Sequence, residues 1–174
     1  MTIAASSNPN LQNDSSSQSQ KSVSDQARSE QFLSFKLPSN LALLATQKLT
    51  EVLTLTPQQI VPIPDLNRQI MGVCNWRGEV LWLVDLNAIL NGDPLPPLQG
   101  THYSAIILNH NGQTIGLVVS QVTQMVWCSH RDIQNLPQTQ QTLPSPFIQG
   151  YWVSPQSETF LVLNAAEIFA SFKA

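Results

Sequence analysis

The side chains able to move protons, hold metals or attack carbonyls are few in this chain. They are His102, His110 and His130, the cysteines Cys74 and Cys128, and 11 scattered carboxylates. A metal centre needs ligands at short, repeated spacings, and a nucleophile needs a base positioned beside it. No histidine here stands in such a relation to a cysteine or a second acid, and two of the three occupy turn-like contexts, "NHNG" and "CSHRD". The triplet His130-Arg131-Asp132 is similar to a kinase catalytic triplet, but neither a glycine-rich loop nor Asp-Phe-Gly accompanies it. The cysteines lie 54 positions apart and read as small buried hydrophobes. Catalysis is disfavoured, and no metal or cofactor is expected.

Charged chemistry converges instead on "MGVCNWRGEVLWLVDLNAIL", residues 71 to 90, where Arg77, Gly78, Glu79 and Asp85 interrupt an apolar run. An arginine beside a glycine at a tight turn can present its guanidinium while the glycine takes a positive φ or admits a partner's backbone. Trp76 adds area and one donor, which together make the composition of a contact hot spot. The alternative is that Arg77 pairs internally with Glu79, Asp85 or Glu51 and holds the turn in shape. Both readings stand at this level.

Composition restricts the partners. With 8 Lys plus Arg and a net charge of -3, the chain lacks the basic excess that covers a phosphate backbone, so nucleic-acid binding is disfavoured. The competing use of a small barrel, stacking single-stranded bases on Trp76, Trp82, Trp127 and Trp152, meets the same objection, and tryptophans at alternating strand positions suit a core better. Truncating Trp82 within a core would cost about 3–5 kcal/mol. No apolar run reaches the length of a membrane span, and no secretory leader is evident, so a cytoplasmic protein without direct membrane insertion is expected.

The elements that must position the charged turn are mostly strands. Residues 1–29, rich in Ser, Gln and Asn, cannot bury enough surface to offset ordering and read as a disordered tail. From residue 30 to 174 short apolar runs alternate with turns, among them "QFLSFKL" and "YSAIILN" followed by Asn111-Gly112. Helical periodicity is confined to "LNAIL" and "NAAEIFASF".

The chain also aligns with itself. At a shift of 73, "KLTEVLTLTPQQI" lies over "QVTQMVWCSHRDI", pairing Val52 with Met125, and "FLSF" lies over "AIIL". At a shift of 79, "LWLVDLNAIL" lies over "FLVLNAAEIF". Two similar β lobes follow, roughly 31–95 and 102–174, joined by "NGDPLPPLQG", with strands free to exchange between them. The second copy has Ser154-Pro155-Gln156-Ser157-Glu158 where the first has Asn75-Trp76-Arg77-Gly78-Glu79. Arg77 is therefore dispensable for building a lobe.

The segment "IMGVCNWRGEVLWLVDLNAIL" resembles the signature of CheW-type chemosensory adaptors, and "FLSFKL", "KLTEVL", "IGLVVSQV" and "GYWV...FLVLNAAEIF" have counterparts in order over 31–172. The resemblance implies a mostly β fold of two five-stranded SH3-like barrels with short helices. It also implies a non-enzymatic scaffold bridging a chemoreceptor's cytoplasmic tip to the regulatory domain of a CheA-type histidine kinase, associated with membrane arrays through these partners. Carried over by position, Leu49, Glu51, Gly72, Asn75, Arg77, Gly78 and Gln121 would form the receptor-facing groove. The kinase-facing surface would be a barrel end that these motifs do not assign. Ser120 and Asn164 stand where aspartates are usual, and Trp82 where proline is common. Such departures suit an adaptor dedicated to one receptor, as in pilus-driven or light-directed motility.

Overall fold

The computed structural model describes residues 29–96, 102–136 and 145–172. Apart from Ser29, which opens the first strand, the tail expected over 1–29 lies outside these residues. In chain order the elements are β1 (Ser29–Lys36), β2 (Leu41–Ala45), β3 (Leu49–Leu55), β4 (Ile70–Trp76), β5 (Glu79–Asp85), α1 (Leu86–Asn91), β6 (Tyr103–His110), β7 (Gln113–Val119), β8 (Gln121–Ser129), β9 (Ile148–Val153), β10 (Thr159–Leu163) and α2 (Ala165–Ser171).

These strands form two five-stranded sheets, ordered β8-β1-β2-β10-β9 and β3-β6-β7-β5-β4. Replacing each strand by its counterpart five places along the chain converts one order into the other. Each sheet also contains one parallel pair, β2 with β10 and β5 with β7. The internal repeat is thus present in three dimensions, and the architecture is the mostly β pair of SH3-like lobes.

The lobes, however, do not follow the linear division at 31–95 and 102–174. Each half-chain donates its first two strands to the other lobe. A three-residue 3-10 turn, Thr46–Lys48, carries the chain from β2 in one sheet to β3 in the other. Ser120 alone makes the return from β7 to β8, and its N–H donates to the Lys36 carbonyl at 3.2 Å.

Burial explains the exchange. Along β1, Phe32 faces a core within its own lobe with Leu43, Phe160 and Val162, whereas Leu33 and Phe35 face a core shared by both lobes. In β6, Ala105 and Ile107 point into one lobe while Ile106 and Leu108 enter the shared core. Strand alternation thus presents two apolar faces, and only a position between two lobes covers both. Both short helices close the shared core through Leu86, Ile89 and Leu90 of α1 and Ile168 and Phe169 of α2. Each follows a strand through an equivalent cap. Asp85 Oδ1 accepts from Ala88 N at 3.0 Å, and Asn164 Oδ1 accepts from Ala166 N at 3.1 Å.

Candidate docking site

The charged turn is the two-residue hairpin between β4 and β5, closed by the pair Trp76 and Glu79. Arg77 (φ 54°) and Gly78 (φ 86°) both adopt left-handed backbone, as a hairpin of primed type requires. Asn75 Oδ1 accepts the Gly78 N–H at 3.2 Å, so the side chain two residues before the turn fixes its conformation. Asn75, Arg77 and Gly78 accordingly form one local unit.

Glu51 reaches this unit from β3, the opposite edge of the same sheet. One of its carboxylate oxygens accepts from the indole Nε1 of Trp76 and the other from Arg77 Nη2 at 3.0 Å. The guanidinium also lies over the Trp76 ring, 5.0 Å from its centroid. Of the three internal partners open to Arg77, the structure selects Glu51. Asp85 is buried at 2% exposure and uses Oδ2 to accept from Leu95 N at 2.6 Å. The pairing does not hide the arginine, whose side chain remains 64% exposed against 29% for Glu51. Donation by Trp76, reinforced by Arg77, holds the Glu51 carboxyl below its ordinary value against the opposing effect of desolvation. The arrangement is a cation held in a fixed pose at a barrel rim.

The remaining expected site residues fall elsewhere. Leu49 is half-buried against the shared core, and the register between Leu49 and Glu51 is shifted by a bulge. Gly72 is buried inside β4 at φ 144°, and a Cβ there would come within 2.4 Å of the Val61 carbonyl oxygen. It lets the segment after β3 cross β4, where Val61 and Val73 exchange hydrogen bonds of 2.8 and 2.9 Å. Gly150 permits the same crossing in the other lobe, with Gln134 and Tyr151 joined by two 2.8 Å bonds. Gln121 is exposed at the start of β8, opposite Lys36 in the other sheet.

Sequence reasoning overlooked the apolar flanks. Val52 on β3 pairs with Ile106, and Met125 on β8 pairs with Leu33. Both inner partners belong to the shared core, yet Val52 and Met125 are 39% and 55% exposed on their edge strands. The lobes meet where β8 packs against β6 and where the 3-10 turn before β3 packs against both β1 and β6. The edge strands bordering this seam thus carry exposed apolar side chains related by the internal repeat. Self-alignment pairs Val52 with Met125, but pairing alone does not separate a rim position from a core one.

The tryptophans also depart from expectation. Trp127 and Trp82 are 66% and 36% exposed, and Trp76 and Trp152 are half-buried, because Trp82 and Trp127 lie on outward strand faces. A cavity of about 600 Å³ lies beside Trp82, lined also by Leu66, Ile70, Ile115, Phe169 and Phe172. Both cysteines are buried, and burial pushes the Cys128 thiol up to about 11, aided by Asp132 and Glu30. Among the described residues, no three His, Cys, Asp or Glu side chains gather in a cluster able to hold a metal ion.

Paired SH3-like barrels with a shared core and a charged hairpin at one rim define a two-lobed β module. Residues 31–173 match the CheW-like domain, and the chain belongs to that family. It is 22% identical over 143 residues to the chemotaxis protein CheW of Treponema pallidum (strain Nichols), covering 81% of this chain and 82% of that protein. It is 30% identical over 89 residues to the chemotaxis protein CheW of Rhizobium meliloti (strain 1021), covering 51% and 56%. The crystal structure of the scaffolding protein TtCheW from Thermoanaerobacter tengcongensis has the same fold, with a TM-score of 0.66 at 22% identity over 78% of this chain and 89% of that one.

Proposed function

We propose that this chain is a non-enzymatic adaptor that couples the cytoplasmic tip of a chemoreceptor to the regulatory domain of a CheA-type histidine kinase. Membership of the CheW-like family supports the class of partner, and the exposed, Glu51-anchored Arg77 at the rim carries the reading. A receptor's helical hairpin would lay apolar side chains along the seam between Val52 and Met125, while Arg77 supplies charge complementarity and register. Asn75 and Gly78 shape the turn that presents the guanidinium, and Gly72 and Leu49 hold the strands beneath it. Gln121 would meet the receptor from the other lobe. Among the described residues no helix is long and apolar enough to cross a membrane, and in this reading array association comes through the partners. A pilus-driven or light-directed output agrees with the departures at Ser120, Asn164 and Trp82.

The test is co-purification with a receptor-tip fragment and with the kinase regulatory domain. Arg77→Glu should reduce receptor capture about tenfold or more, as loss of a charged contact does, while its circular dichroism and kinase capture stay unchanged. Unchanged receptor capture would remove Arg77 from the interface.

A further inference from the structure

We propose that Asn111 is a site of spontaneous, backbone-assisted deamidation, and that the fold protects Asn91, the other asparagine that precedes a glycine. The reaction needs two free groups: an asparagine side-chain amide able to swing, and an unengaged peptide nitrogen on the next residue. A following glycine removes the side chain that would obstruct the approach.

At Asn91 both groups are held. Its Nδ2 donates to Asn87 Oδ1 at 2.6 Å, and the Gly92 N–H donates to the Ala88 carbonyl at 3.0 Å in the cap that ends α1. Attack there must wait until the end of the helix opens.

At Asn111 neither group is held. Asn111 (φ 52°) and Gly112 (φ 79°) form the exposed two-residue turn between β6 and β7, closed by the pair His110 and Gln113. Among the described residues nothing hydrogen-bonds to the Asn111 side chain. In the β4–β5 hairpin the glycine N–H is taken by Asn75, but the matching residue here, Asn109, turns its amide to Thr114 Oγ1 at 3.0 Å. A Cβ built on either Gly92 or Gly112 would meet nothing within 4 Å, so the two sites differ in their hydrogen bonds and not in crowding at the glycine.

Hydroxide removes the proton from the Gly112 peptide nitrogen, which attacks Cγ of Asn111. The water so formed returns a proton to Nδ2 as the Cγ–Nδ2 bond breaks, so ammonia leaves, hydroxide is regenerated and a five-membered succinimide forms. Water then opens either carbonyl to give aspartate or isoaspartate; no oxidant or reductant takes part. The new carboxylate lies one residue from His110, whose Nδ1 accepts from Lys48 Nζ at 2.9 Å. The isoaspartate product also lengthens the backbone of a turn whose register depends on having two residues.

The full chain would be incubated at mildly alkaline pH and mapped by mass spectrometry that separates aspartyl from isoaspartyl peptides. In the folded protein Asn111 should convert to both products, while Asn91 reacts at least about tenfold more slowly, since it depends on local opening. In urea the two rates should converge. The proposal fails if Asn91 keeps pace in the folded state, if Asn111 stays intact, or if the difference persists in urea, which would assign it to sequence and not to structure.

Discussion

At Arg77 two demands meet that sequence reading had set against each other. The guanidinium is both paired with Glu51 and open to solvent, because a left-handed turn residue projects from the rim while Glu51 and Trp76 steady it from one side. A charge swap separates internal pairing from partner contact. Glu51→Arg with Arg77→Glu restores an opposite-charge pair, so if Arg77 served only the hairpin, receptor capture would recover. The docking account predicts that capture stays low while the melting temperature recovers, measured by pull-down and thermal denaturation. Acid acts at the same place. Because the folded Glu51 carboxyl lies below its ordinary value, chiefly through Trp76, its contribution is present above the unfolded value and is lost as pH falls through the folded one. Trp76→Phe should diminish that acid-side loss, and an unaltered pH profile would show that the indole does not tune Glu51.

Strand and helix ends carry a different set of constraints. Gly72 and Gly150 each admit a crossing segment, so Gly72→Ala and Gly150→Ala should destabilise the protein by about 1–3 kcal/mol through overpacking against backbone. Urea midpoints check this; near-neutral values would mean that the crossings relax easily. Asp85 behaves oppositely to Glu51, since burial pushes its carboxyl up despite hydrogen bonds from Leu95, Ala88 and Asn87. The folded state therefore takes up that proton at higher pH than the unfolded chain. The wild type should gain stability relative to Asp85→Asn as pH falls through the raised value, whereas a flat difference contradicts the burial argument. These roles were only partly legible. The capping position of Asp85 follows from the strand-to-helix pattern that Asn164 repeats, but at Gly72, expected among the docking residues, sequence shows a glycine without showing the Val61 segment that crosses it. Trp82 misled similarly. Alternation placed it on a strand face but could not tell which face meets water, and with a partly exposed ring Trp82→Ala should cost less than the about 3–5 kcal/mol of a buried aromatic.

For the whole molecule, the exchange of β1–β2 and β6–β7 makes neither half self-sufficient. Fragments 1–98 and 99–174 should each lack a cooperative melt alone and regain one when mixed, followed by far-UV circular dichroism. Independent folding of either fragment would contradict the exchanged topology. The repeat itself was readable from the shifts of 73 and 79, and so were the β class and the short helices. The exchange was not, because the apolar residues Phe32, Leu33 and Phe35 announce burial on two faces without naming the neighbouring strand. Two features carry the adaptor reading: the seam between the lobes and the charged hairpin at one barrel's rim. Its sharpest test is an amide chemical-shift titration of the intact chain with a receptor-tip fragment. The largest changes should fall at Glu51, Val52, Arg77, Gln121 and Met125, on both lobes at once. Changes confined to one lobe, or absent from Arg77 and its neighbours, would contradict docking at the seam.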